Sequence, residues 1–388
     1  MSDKWNFRIL DSEGTVARQA HVDLPEGTFE RELGRDGFAG ASTHLYHRNP
    51  PTAWECFVGP LRPRAFNTLH VKDVQACPWQ ALPLLVNAHC SVRFWRVGGP
   101  MKHLVRNADG DELLFLHRGQ AEFYCDYGHM RILEGDYVLV PRGTMWRLDG
   151  EADVLMVEAT GCQYRIPDRG LLGRFALFDP AVLSRPTLDK EYREQPRTGR
   201  WEIRVKRRGE ISRITYPFNP LDTVGWRGDL YPIRVNIKDF CPVTSHRAAL
   251  PPSVHTSFET DHFMVGSVVP RPFETEPRAM KLPWFHNNDD YDEMMFLHRG
   301  QFSSRGSVLA EGGITLHPAG CTHGPHPETL SHMYDASGMF EGWLVMIDAR
   351  DPFEVDPRAA ELEATGYAET WADAIQLAPD AALESAAS

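Results

Sequence analysis

A ten-residue string occurs twice in this chain. Asp111-Glu-Leu-Leu-Phe-Leu-His-Arg-Gly-Gln120 returns as Asp292-Glu-Met-Met-Phe-Leu-His-Arg-Gly-Gln301, with eight of the ten positions identical. The two differences exchange Leu for Met, a swap that conserves core volume. Downstream, Glu134-Gly135, Pro141 and Gly143 reappear as Glu311-Gly312, Pro318 and Gly320. The offset between copies is 181 residues in the first string and 177 in the second, so each copy keeps nearly the same internal spacing. A chain built this way is two copies of one folding module.

The module reads as β. Short apolar runs such as Tyr137-Val-Leu-Val-Pro141, Ala152–Glu158 and Gly342–Ile347 recur between turn residues, supplied by 31 glycines and 29 prolines. Short runs at regular spacing predict an all-β sandwich or barrel. The expected architecture is therefore two β-barrel or jelly-roll modules, covering residues 1–195 and 196–388, with the join near 185–210. One helical segment is expected near the C-terminus, where Asp356-Pro357 precedes an Ala- and Glu-rich stretch to Ile375. The residues from about Asp380 read as a frayed tail.

The formal charge of −12 argues against a nucleic-acid binder, which needs a basic surface to displace counterions from phosphates. No run of about 18 apolar residues predicts a membrane span, and the start has no apolar core of a signal peptide. The seven cysteines are scattered and odd in number, a pattern expected of reduced thiols in a cytoplasmic protein. Cys321 reads as a small buried hydrophobe.

The second copy carries the chemistry. His286 and Asn288 are two apart and share a face if the segment is a strand. Glu293 follows a turn-like Asp-Asp-Tyr-Asp stretch, and Pro318-Ala-Gly320 delivers His323 at the start of another strand. Two imidazoles and one carboxylate make the facial set that holds non-haem Fe(II) with positions left open. Zinc is more often closed by sulfur or a third His.

The first copy is an internal control. Aligned by the repeat, Val105 stands where His286 is, Asn107 where Asn288 is, Glu112 where Glu293 is, and Trp146 where His323 is. With both imidazoles replaced by apolar residues, the first barrel is expected to hold no metal. Glu112 persists, which points to a hydrogen-bonding use for that position. His117 and His298 occur in both copies and read as structural. His317, six residues before His323, is a candidate for orienting a ligand, with a structural role as its alternative. His103 is off register and reads as a surface or packing residue; His44, His47 and His129 carry no spacing signal. His326 and His332 are expected on the solvent side.

The spacing of His286, Glu293, Gly300, Gly312, Pro318, Gly320 and His323 resembles the cupin pattern, with Asn288 replacing the second His of its His-x-His pair. The stretch from about residue 160 to 345 is more specifically similar to the homogentisate 1,2-dioxygenase family. Ile166-Pro-Asp-Arg-Gly-Leu-Leu-Gly173, Asn219-Pro-Leu-Asp-Thr-Val-Gly-Trp-Arg-Gly228, Asn236-Ile-Lys-Asp-Phe240 and Thr322-His-Gly-Pro325 carry that resemblance. It implies a bicupin that cleaves a hydroquinone-type ring with Fe(II) and O₂, with His286, Glu293 and His323 as iron ligands. It also implies a homo-oligomer, a trimer or hexamer.

The chain departs from that family around the substrate. Ala249 stands where the family has a base histidine, leaving His246 and His255 as candidates for that role. Phe302 and Arg305 stand where a tyrosine and a lysine contact substrate, and these two with Asn288 are the candidate substrate contacts. Homogentisate, a gentisate-like acid and another substituted phenol remain open as substrates. So do two other functions: a metal-dependent cupin isomerase or decarboxylase acting on a small acid, and a non-catalytic ligand-binding cupin.

Overall fold

A computed structural model describes residues 10–281, 284–301 and 309–377. The chain forms two β-barrels packed side by side. The first is built around the long antiparallel strands Gly110–Cys125 and Met145–Thr160. The second is a six-stranded sheet in which Asp292–Arg299 pairs with both Gly313–His317 and Trp343–Ala349.

Alternation along the repeated strand decides what each barrel contains. In the first copy Leu113 and Phe115 face the neighbouring barrel, while Leu114 and Leu116 face inward. In the second copy Met294 and Phe296 join the same inter-barrel core. That core is continuous across both modules and takes in Leu155, Val157, Val345 and Ile347. The first barrel's interior is filled by Trp95, Val105, Phe123, Trp146 and Val154, all fully buried.

The repeat is visible as pseudo-twofold symmetry. His117 and His298, equivalent in the two copies, meet with Nδ1 atoms 3.0 Å apart. Phe115 and Phe296, also equivalent, pack edge to face at 6.3 Å. Residues that contact their own equivalents lie on the axis relating the copies, as in a self-complementary interface. Both histidines are buried, and burial pushes each down to about 3.

Strand pairing crosses residue 195 in both directions. Thr198–Arg207 pairs with Leu104–Asn107, and Ile233–Asn236 with Asp136–Val140, so these later strands complete the first barrel. Conversely, Arg64–Asn67 pairs with Gly313–His317, and Phe29–Gly34 runs parallel to Phe285–Asn287. The division at residues 195 and 196 therefore does not follow the strand pairing. A long-range partner is chosen by fit in three dimensions, which no local composition shift reports.

The C-terminal segment also differs from a single helix over 356–375. It forms two 3-10 segments, Pro357–Leu362 and Ala368–Leu377, interrupted by Gly366 in a left-handed conformation (φ 87°). Tyr367 and Trp371 anchor it against Ala65 and Leu309. The tail from Asp380 lies outside the described residues. All seven cysteines are unpaired, and Cys321 is buried. No helix among the described residues is long and apolar enough to cross a membrane.

Candidate metal centre

His286, Glu293 and His323 converge inside the second barrel, their donor atoms within 4.8 Å of one another. His286 lies in the strand Phe285–Asn287 and Glu293 in Asp292–Arg299. His323 bridges His286 through reciprocal backbone hydrogen bonds of 2.8 and 3.1 Å. This bridge matches the Val105–Trp146 pairing in the first barrel. The close approach requires glycine next to the ligand. Gly324 has φ +156°, and a Cβ there would stand 2.8 Å from the Phe285 Cα.

The two imidazoles are held in one tautomer. His286 Nδ1 donates to the Trp284 carbonyl at 2.8 Å and His323 Nδ1 to the Cys321 carbonyl at 3.0 Å. A proton on Nδ1 leaves the lone pair on Nε2. Both Nε2 atoms are buried and have no hydrogen-bond partner among the described residues. They lie 3.9 and 3.6 Å from the Glu293 carboxylate. A buried acceptor left unsatisfied costs roughly 1–3 kcal/mol, and a divalent cation between the three groups would satisfy both. The donor set, two neutral imidazoles and one carboxylate, fits such an ion.

Glu293 is prepared as a ligand. Burial opposes its charge, but a proton shared with His323, His286 or His317 outweighs it and holds the carboxyl well below the usual range, and a bound cation would take that proton's place. His317 Nδ1 lies 2.9 Å from Glu293 Oε1 and its Nε2 lies 3.1 Å from the Tyr367 hydroxyl. Its ring stacks on His323 at 4.5 Å. His317 therefore braces the carboxylate from behind and does not line the adjoining cavity.

The first barrel shows what the same position does without imidazoles. Glu112 accepts from Trp79 Nε1 at 2.8 Å, Asn107 Nδ2 at 3.0 Å and Trp146 Nε1 at 3.1 Å. Trp146 thus puts an indole N–H where His323 puts a lone pair. Burial and the nearby Glu158 push the Glu112 carboxyl up to about 7.

A cavity of about 150 Å³ opens beside the triad. An engineered cavity of about that volume admits benzene, so this one is on the scale of a single aromatic ring. Val268, Met295, Phe340, Leu344 and Met346 form apolar wall, and Arg271 and Lys281 add two cations. Arg271 is paired with Glu274 at 2.9 Å. Lys281 is 5% exposed, and its ammonium donates to the Glu276 carbonyl. Neither cation stands out in the sequence, because a single basic residue has no spacing signature.

The other candidates fall unevenly. His255 lines the cavity, but its Nε2 accepts the Val243 N–H at 3.1 Å, which leaves the proton on Nδ1. Burial lowers it to about 4. It presents an N–H in the neutral state, so the geometry does not support it as a base. His246 is exposed and away from the cavity. Its role as a base is corrected on that ground: the loop carries it outward. Asn288 does not line the cavity either, because its side-chain oxygen accepts the Gly37 N–H at 3.3 Å. Phe302 and Arg305 lie outside the described residues. His326 is not solvent-side: it is buried against Trp371 and lies 3.0 Å from the Thr370 hydroxyl. His332 is exposed.

Two family profiles match the chain. Homogentisate 1,2-dioxygenase N-terminal covers residues 75–237 and homogentisate 1,2-dioxygenase C-terminal covers 251–374. A protein of Saccharolobus solfataricus named "Putative dioxygenase SSO1533" is 28% identical over 92% of this chain and 98% of its own length. Homogentisate 1,2-dioxygenase of Bradyrhizobium diazoefficiens is 25% identical over 68% of this chain, and that of Sinorhizobium fredii 27% over 69%. The matched region spans 62% of each of these two enzymes. With both halves matched in order, this chain belongs to the homogentisate 1,2-dioxygenase family.

Proposed function

We propose that this protein is a ring-cleaving dioxygenase that uses Fe(II) and O₂ on a hydroquinone-type phenol bearing a carboxylate. Homogentisate and gentisate-like acids are the first candidates. The observation that carries the reading is the pair of buried, unpartnered Nε2 atoms facing Glu293 beside a ring-sized cavity. Iron held by His286, Glu293 and His323 would supply Lewis acidity toward a phenolate oxygen and a path for electrons between ring and O₂.

The chain's own groups set up that chemistry. The Trp284 and Cys321 carbonyls keep the ligand lone pairs aimed inward. His317 fixes the orientation of the Glu293 carboxylate. The apolar wall excludes water and accepts a flat ring, and Lys281 offers a buried cation to a carboxylate. His255 donates a hydrogen bond from Nδ1 to a substrate oxygen. After the family resemblance, the same reading takes the protein as a cytoplasmic homo-oligomer, a trimer or hexamer.

Oxygen uptake by Fe(II)-loaded protein across homogentisate, gentisate, hydroquinone and substituted catechols tests this. Uptake is expected with a carboxylated hydroquinone, and His323→Ala is expected to lose both iron and uptake. Normal iron content and uptake in that variant would refute the ligand assignment, and turnover that is indifferent to O₂ would favour an isomerase or decarboxylase.

A further inference from the structure

A second set of ligand-type side chains gathers beside the barrel, on the small sheet formed by Phe29–Gly34, Ser42–His47 and Phe285–Asn287. Glu30 and Glu32 are two apart and share a face. His44 is the cross-strand partner of Glu32. The chain before this sheet reverses direction and lays the His21 ring on Trp284, 3.9 Å away and nearly parallel.

Four side chains from three segments then meet. His21 Nδ1 lies 2.6 Å and His44 Nδ1 3.4 Å from the same atom, Glu30 Oε1. Their Nε2 atoms each lie 3.7 Å from an oxygen of Glu32. His21, Glu30 and Glu32 are all more than nine-tenths buried.

The contacts are close, yet the two Nδ1 atoms are buried and make no hydrogen bond. In a plain ion-pair network each imidazole N–H would point along the line to its oxygen. Here both nitrogens crowd one carboxylate oxygen without hydrogen-bond alignment, and an ion entering between them would draw the three donors to a common centre. Donor atoms of His21, Glu30 and His44 all lie within 4.8 Å of one another. The Glu30 oxygens also accept the His21 backbone N–H at 3.1 and 3.2 Å, which fixes the carboxylate under the ring.

We propose that His21, Glu30 and His44, with Glu32 beside them, form a second divalent-cation site. Two imidazoles and one carboxylate are borderline ligands that zinc accepts, with water completing four-coordination, while Glu32, 3.7 Å from the far nitrogen of each ring, orients both imidazoles. The role is structural. The ion joins the segment carrying His21 to the two strands carrying Glu30, Glu32 and His44, and Glu32 is in parallel register with His286. Trp284 lies against His21 and also lines the cavity, so the site buttresses one wall of the metal centre.

Zinc stoichiometry on the full chain tests this. With excess zinc and then desalting, the wild type is expected to retain two ions per chain, one at each site. His286→Ala/His323→Ala is expected to retain one, and to give the visible absorption of four-coordinate cobalt when loaded with Co²⁺ instead. His21→Gln/His44→Gln in the otherwise native protein is expected to retain one ion, with its circular dichroism unchanged. Glu30→Gln keeps an acceptor for the His21 N–H and is expected to weaken zinc binding at this site at least tenfold. A wild type that retains a single ion, or an unchanged count after His21→Gln/His44→Gln, overturns the proposal. These outcomes are independent of oxygen uptake, so failure here leaves the proposed function standing.

Discussion

Lys281→Met separates two effects of one buried charge. The Lys281 ammonium is almost fully enclosed, donates to the Glu276 carbonyl, and makes no ion pair with a carboxylate among the described residues. A carboxylate entering the cavity would give this enclosed cation its counter-ion. A hydrogen bond to an ionised group contributes about 1.5–3 kcal/mol. At about 1.4 kcal/mol per factor of ten, its loss raises KM for a carboxylated hydroquinone by roughly 10- to 150-fold. Met fills similar space without charge. Initial oxygen-uptake rates on a carboxylated hydroquinone and on hydroquinone itself provide the comparison. The variant is expected to lose kcat/KM on the first and keep it on the second. In the absence of substrate its urea midpoint is expected to hold or rise, since a desolvated charge has gone. An equal loss on both substrates, or no loss on either, would refute the reasoning.

Three further outcomes follow from the geometry. Gly324→Ala places a methyl 2.8 Å from the Phe285 Cα; overpacking of about 1–3 kcal/mol pushes the His286–His323 bridge apart, and iron content measured after reconstitution should fall well below wild type. Trp146→His should leave the first barrel without metal, because Val105 still offers no imidazole. The same variant should lose up to about 3–5 kcal/mol of stability, the range for truncating a buried Trp, and iron bound there at full occupancy would show the repeat alignment to be wrong. The His117–His298 pair sets a pH slope. Both groups lie near 3 when folded and near 6.5 when unfolded. Between those values the unfolded chain binds more protons, so stability rises with pH and is lost as pH falls from about 6.5 toward 3. Urea midpoints between pH 7 and 4 should fall, and less steeply in His117→Asn/His298→Asn. His103 and His255, held near 4 by burial, keep part of the slope.

Much of the candidate metal centre is legible in the one-dimensional pattern because its side chains are placed by strand periodicity and by a turn. His286, Glu293 and His323 belong to short, locally determined segments whose repeat partners can be aligned residue for residue. The comparison of copies even carries the first barrel's filling: Val105 and Trp146 announce an apolar interior, and the persistence of Glu112 announces a hydrogen bond. His317 is legible only as a possibility, since its value comes from lying across a strand pair from Glu293.

The substrate side is another matter. Asn288 sits on the expected strand register, but contact with Gly37, 251 residues earlier, turns its side chain away. His246 and His255 are close in sequence, and only the path of the loop puts one in the cavity and the other in solvent. Lys281 and Arg271 become a pair of cavity cations through packing alone. The barrels' composition likewise escapes local reading, because the strand Arg64–Asn67 completes the second and strands from 198–236 complete the first.

The sequence by itself therefore determined two β modules, the candidate set His286, Glu293 and His323, and the apolar filling of the first barrel. Those follow from periodicity, turn chemistry and the identity of inward-facing residues. Only the tertiary structure decided where the modules divide, which histidine faces the cavity and which buried cation lines it. Those depend on contacts between segments far apart in the chain, whose pairing is chosen by shape and desolvation.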